Sequence, residues 1–121
     1  MATMNSVIEY VDGVKPNVYT DNDKYRWIGE VEGLISIEVH DMNEPLSLAY
    51  PEEADKELSV PAPYDEVYAL YVFAKIDFLN KEYNNYNNSV LMFNNMLNKY
   101  KDYYIQRNAR GKAQNFRNIM G

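Results

Sequence analysis

The residues able to do chemistry are few and scattered. His40 is the only histidine in the 121-residue chain, and there is no cysteine. Neither a triad nor a zinc set can therefore be assembled, and no glycine-rich phosphate loop is present. His40 stands near the end of a helical pattern, where a charged imidazole would complement the helix dipole; a local helix-end role is expected. Glu52, Glu53, Asp55 and Glu57 crowd one loop without a basic or histidine partner, and their spacing matches no calcium-loop pattern. Asn87-Asn88-Ser89 fits the glycosylation acceptor pattern but follows no secretion signal. Lys99, Lys101, Tyr103, Tyr104, Arg107, Arg110, Lys112 and Arg117 interleave bases with aromatics in the manner of a nucleic-acid surface. Against that, the formal net charge is −6. The chain reads as no enzyme, with no catalytic, metal-ligating or cofactor-binding residues and no cofactor.

Charge is polarised along the chain. Residues 1–66 carry fifteen acids and four bases, and residues 67–121 carry three acids and eight bases. Such asymmetry favours head-to-tail association between unlike surfaces. Twelve tyrosines suit thin cores and interfaces, where the ring is covered and the hydroxyl stays hydrated. No apolar run reaches the roughly 18 residues of a membrane span, so a soluble cytoplasmic protein without membrane contact is expected.

The elements that must position these residues are helical. "TMNSVIEYVDGV" predicts a first helix capped by Thr3 or Asn5 and ended by Gly13. Thr20, with Asp21 and Asp23 in the first turn, predicts the start of a second. Tyr19 is placed to staple onto Lys24 or Tyr25. Trp27, Ile28, Val31, Leu34, Ile35 and Val39 form its core stripe, and Gly29 and Gly33 suggest close helix approach. Residues 41–63 hold four prolines and a run of acids. They are too long for an ordinary connection and too apolar to be simply disordered. The loop is expected to pack on its own subunit or a neighbour, and Glu57–Val60 could pair briefly as a strand.

Pro63, Asp65 and Glu66 open the last helical region. From there Val72, Ile76, Leu79, Tyr83, Tyr86, Val90, Phe93, Leu97, Tyr100 and Tyr104 alternate at four and three, the seam of a 3.5-residue period. The seam passes through the asparagine-rich "EYNNYNNSVLMFNN" without slipping. It predicts one helix from about 64 to 107, with a kink or a hairpin near 84–88 as the alternative. The fold class expected is all-α: short N-terminal helices, a long connecting loop and one long C-terminal helix. Residues 1–108 would form a single helical domain and 109–121 a C-terminal tail, whose Phe116, Ile119 and Met120 suit a docking peptide.

Three stretches together carry a resemblance: "KPNVYTDNDKYRWIGEVEGLI", "VPAPYDEVYALYVFAKIDFLNKEYNNYNNS" and the closing "FRNIMG". They resemble short proteins encoded among the head genes of tailed phages and prophages of Gram-positive bacteria. Such proteins look like head-tail connectors, also called adaptors or head completion proteins. The resemblance implies a bacteriophage structural protein for virion assembly: a ring homo-oligomer beneath the portal that also meets tail or neck proteins. It implies passive DNA passage without sequence-specific binding, a place in the virion neck, and the host cytoplasm during assembly. The interface residues expected are Arg107, Arg110, Lys112, Phe116, Arg117, Ile119 and Met120 toward the portal. Tyr50 and Leu58, in the long loop, are expected toward a neighbouring copy or the next ring of the neck, and Tyr83 and Tyr86 toward a neighbouring copy. The alternative reading is a small cytoplasmic nucleic-acid-binding or protein-interaction module.

Overall fold

The computed structural model describes residues 2–120, with side chains described through residue 109. The described residues form four helices and no sheet: α1 (Met4–Val14), α2 (Asp21–Glu38), α3 (Glu66–Leu79) and α4 (Tyr83–Met120). The expected all-α class, with short N-terminal helices and a long C-terminal one, is the observed one.

Each N-terminal helix starts where its cap dictates. The Ser6 N–H donates to Thr3 Oγ1 at 3.1 Å and the Thr3 N–H to Ser6 Oγ at 2.8 Å, a reciprocal box that satisfies two orphan donors. The Asp23 N–H donates to Thr20 Oγ1 at 3.1 Å, with Asp21 and Asp23 in the first turn of α2. Trp27, Ile28, Val31, Ile35 and Val39 are buried as the stripe predicts, whereas Leu34 is exposed. Tyr19 packs edge-on against Trp27, with ring centres 5.7 Å apart. Its hydroxyl donates to Asn80 Oδ1 at 2.7 Å, which ties the entry of α2 to the end of α3.

α3 is the central helix and packs against the other three. Accordingly it is apolar nearly all round, with Val67, Tyr68, Ala69, Leu70, Val72, Ala74 and Ile76 buried. The predicted single helix from 64 to 107 is two helices. The break falls at residues 80–82, not at 84–88, and the asparagine cluster is helical. Lys81 adopts the left-handed conformation at φ 61°. Its N–H donates to Phe78 O at 3.0 Å and the Glu82 N–H to Asp77 O at 2.8 Å. That is the Schellman arrangement, normally marked by glycine at the left-handed position; lysine there leaves no sequence signal. The 4-3 spacing runs across the three-residue turn without a slip, so the periodicity does not mark the reversal. On α3, Tyr71, Ala74 and Phe78 meet α4 opposite Tyr86, Val90 and Phe93, while Val72 and Ile76 are buried elsewhere in the core.

The 41–63 loop packs on its own chain. Leu48, Ala54, Leu58 and Val60 join the core, the Asn5 N–H donates to Ala54 O and the Leu58 N–H to Ala2 O. The expected strand reduces to one bridge between Thr3 and Glu57. Gly33 lies against this loop, where an added Cβ would meet Pro45 at 3.5 Å, an ordinary contact. Close approach by another helix is therefore not why glycine stands there.

Candidate assembly surface

Two interior polar clusters fix the scaffold. The Glu32 carboxylate, 1% exposed, accepts from Tyr68 Oη, from Ser59 Oγ at 2.7 Å and from the Ser59 N–H at 3.1 Å. Tyr68 Oη in turn accepts from the Val60 N–H at 3.0 Å. Burial first, and then the adjacent Glu32 charge, push the Tyr68 phenol well above its ordinary range, so it stays a donor. Loop, α2 and α3 meet at this one carboxylate. The second cluster centres on Asp77, which is fully buried, ion-paired with Lys15 and accepting from Ser89 Oγ at 3.0 Å. It pins the C-terminal end of α1 and the first turns of α4 to α3. Lys24, buried on α2, reaches Asp12 on α1 at 2.7 Å.

A third cluster is aromatic and sits where α4 leaves the bundle. Tyr64 stacks on Tyr103 with ring centres 5.0 Å apart and touches Tyr100 at 5.7 Å. The His40 ring lies 4.8 Å from that of Tyr104, and its Nε2 is 2.6 Å from Tyr100 Oη. Burial lowers the His40 pKa from its ordinary value, with the Glu32 charge pulling the other way. Burial raises Tyr100 to about 12. A neutral imidazole hydrogen-bonded to a neutral phenol follows, so the charged helix-end histidine expected from sequence is replaced by a bridge from the end of α2 to α4. The physical reason is desolvation: covering the ring on several sides disfavours its cation more than the helix end favours it.

Beyond this cluster α4 continues without α3 beside it. It has 38 residues, about 57 Å at the usual rise, against 14 residues, about 21 Å, for α3. Its sixteen residues from Tyr83 to Asn98 carry no charge, and the remainder carries six bases and one acid. Between α3 and α4, Tyr71, Ala74, Phe78, Tyr86, Val90 and Phe93 line an open groove of about 410 Å³. On the outer face of α2, Leu34, Ile37, Pro45 and Leu46 line a broader, shallower one flanked by Glu30 and Glu38.

The sequence-derived interface residues fall into separate places. Arg107 is exposed on the α4 extension and donates to Tyr103 Oη at 3.3 Å. Arg110, Lys112, Phe116, Arg117, Ile119 and Met120 lie outside the residues whose side chains are described. The same holds for the tail drawn at 109–121, beyond Ala109. Tyr83 is exposed against Phe78, and Tyr86 is half-buried in the groove, 5.3 Å from the Phe78 ring. Tyr50 is partly exposed and leans on Tyr25, 5.6 Å away. Leu58 is buried in the chain's own core and offers no surface to a neighbour, because the loop that carries it folds back on α1. The sequence reading missed Glu32, Tyr68, Asp77 and the His40–Tyr100 bridge. Only the placement of single charges within apolar helical stripes hinted at the first and third.

Among the described residues no group of acids and histidine is arranged to hold a metal, and no helix is long and apolar enough to cross a membrane. Comparison with protein-family models, curated proteins and solved structures gave no match.

Proposed function

We propose that this chain is a structural protein of a tailed-phage or prophage neck, a head-tail connector that assembles as a ring beneath the portal. The observation that carries the reading is α4. A small bundle whose first 66 residues bear fifteen of the eighteen acids holds out a helix that runs past its packing partner and ends basic. Unlike surfaces on one subunit favour heterologous contacts, which close into rings when the rotation allows. The aromatic cluster around His40 and Tyr64 supports the reading because it fixes the angle at which α4 departs. A ring needs that angle repeated in every copy. The basic end of α4 would engage the portal or the next subunit, and the acid-rich surfaces would face the channel, where they repel DNA phosphates and leave the genome free to pass. No chemistry beyond assembly is required of the chain.

The nucleic-acid-binding alternative draws on the same bases. Tyr103 and Tyr104, which would have to stack on nucleobases, are engaged with Tyr64 and His40 instead, and this weighs against it.

The test is co-expression of the full chain with the portal protein encoded in its genomic neighbourhood, followed by electron microscopy of the purified particles. Rings of this chain stacked on the portal are expected, and reversing charge at Lys99, Lys101 and Arg107 should abolish them. A chain that stays free beside assembled portals, or that is retained by DNA in a salt-sensitive manner, overturns the proposal.

A further inference from the structure

α4 carries a second seam. Asn84, Asn88, Leu91, Asn95, Asn98, Asp102 and Ile105 recur at 4, 3, 4, 3, 4 and 3, on the side turned away from the face that packs on α3. All seven are exposed, and the two apolar members stand out at 59% for Leu91 and 52% for Ile105. We infer that this seam pairs with the same seam of a second copy, antiparallel, with Asn98 at the twofold axis.

The electrostatics select the occupant. The chain has a formal net charge of −6, so like acidic surfaces of two copies repel. The Tyr83–Asn98 stretch is free of charge and bears seven asparagines. A carboxamide holds donors and an acceptor together, so it is complementary to another carboxamide. Asparagine within a 3.5-residue seam is the device by which paired helices choose register at some cost in stability. A surface of amides and single apolar side chains therefore fits a copy of itself.

The electrostatics also select the direction. From Lys99 onward α4 holds six bases and one acid, so a parallel pair would lay two basic ends side by side. An antiparallel pair lays each basic end across the charge-free part of the other and opposes the helix dipoles. Register follows from the two apolar members. Leu91 and Ile105 each lie seven residues from Asn98, so centring on Asn98 sets Leu91 of each copy against Ile105 of the other. The footprint is modest: the 21 residues from Asn88 to Asn108 span about 31 Å of a helix about 10 Å across. That is well below the roughly 800 Å² per partner of a standard interface, so the pair is weak and forms at high protein concentration. It is distinct from any portal contact and is measured on the isolated chain, so its failure and that of the connector reading are separable.

Because the chain has no cysteine, single-cysteine variants report contacts cleanly. Asn98→Cys, Leu91→Cys and Ile105→Cys are made in the full chain, with circular dichroism to confirm the fold, and crosslinked with a short bis-maleimide. Asn98→Cys should link to itself, and an equimolar mixture of Leu91→Cys and Ile105→Cys should link heterotypically. Leu91→Cys alone should not link, since the two copies of residue 91 then lie about 21 Å apart along the axis. In sedimentation the wild-type chain should dimerise at high concentration and Leu91→Glu should remain monomeric. Self-linking of Leu91→Cys would mean a parallel pair, and absence of linking throughout would mean no pair; either result overturns the inference.

Discussion

Replacing Tyr68 with phenylalanine tests whether one buried carboxylate holds the long loop in place. The substitution keeps the ring and removes one oxygen, which donates to Glu32 and accepts from the Val60 N–H at 3.0 Å. Two losses follow. A hydrogen bond to a charged group contributes roughly 1.5–3 kcal/mol, and a buried N–H left without a partner costs roughly 1–3 kcal/mol. Tyr68 is fully buried and Glu32 nearly so, so water cannot readily replace either contact. We therefore expect a loss of about 3–5 kcal/mol in urea unfolding, large beside the roughly 5–15 kcal/mol of a typical domain. Glu32→Gln keeps the shape and an acceptor and should cost less. In a double-mutant cycle the pair should couple by more than about 1 kcal/mol. Hydrogen exchange at the Ser59 and Val60 amides should rise more than at the α3 interior, because the loop loses its anchor first. A Tyr68→Phe cost below about 1 kcal/mol, with unchanged protection at Val60, would refute the reasoning.

Lys81→Gly should stabilise the chain by up to about 1 kcal/mol, since lysine is held at φ 61° and glycine removes that strain at the expense of unfolded-state entropy; chemical denaturation measures it. Acid should weaken the bundle: the His40 pKa is lowered on folding, so the unfolded chain takes up the proton first. Stability is then full above about pH 6.5, falls as pH drops below it, and levels off beneath the folded pKa. His40→Phe should flatten that dependence in a pH series of melts. Alkali should act with the opposite sign, because burial raises Tyr25, Tyr68, Tyr71 and Tyr100. Their contribution is complete below about pH 10 and is lost as pH climbs, so tyrosinate absorbance should lag the ordinary titration until the chain unfolds.

What could be read from the sequence was whatever a local pattern encodes. Thr20 followed by Asp21 and Asp23 marks a helix start because the orphan N–H groups need acceptors within three residues, and the structure uses that cap. The stripe from Trp27 to Val39 is legible because burial repeats with the helical period. The break at 80–82 was not legible, since a lysine occupies the position that glycine usually marks and the turn length leaves the seam in phase. Burial of Leu58 was equally hidden: its loop is held by Glu32, 27 residues from Ser59 and 36 from Tyr68, and no local pattern encodes such a contact. Of the candidate surface, the seam tyrosines were visible as a set. Which of them packs inward depends on the hairpin, which turns Tyr100 into the core and leaves Tyr83 outside.

The same hairpin explains why a chain this small contains so many interior charges. A bundle held by apolar contacts alone tolerates sliding and rotation of its helices, because hydrophobic attraction is non-directional. Here each buried charge joins elements that would otherwise be free to slip. Lys24 fixes α2 on α1, Asp77 fixes α1 and α4 on α3, and Glu32 fixes the loop on α2 and α3. Such pairs add little net stability relative to apolar packing, but one registration satisfies them and the neighbouring ones leave a charge unpaired. The loss from misregistration is thus far larger than the gain from the pairs themselves. A helix that continues about 24 Å past Tyr104, its last anchor among the described side chains, magnifies any slip at its root. Directional contacts at the root are what a chain needs if copies must present α4 at one angle, and an apolar core of the same size would not supply them.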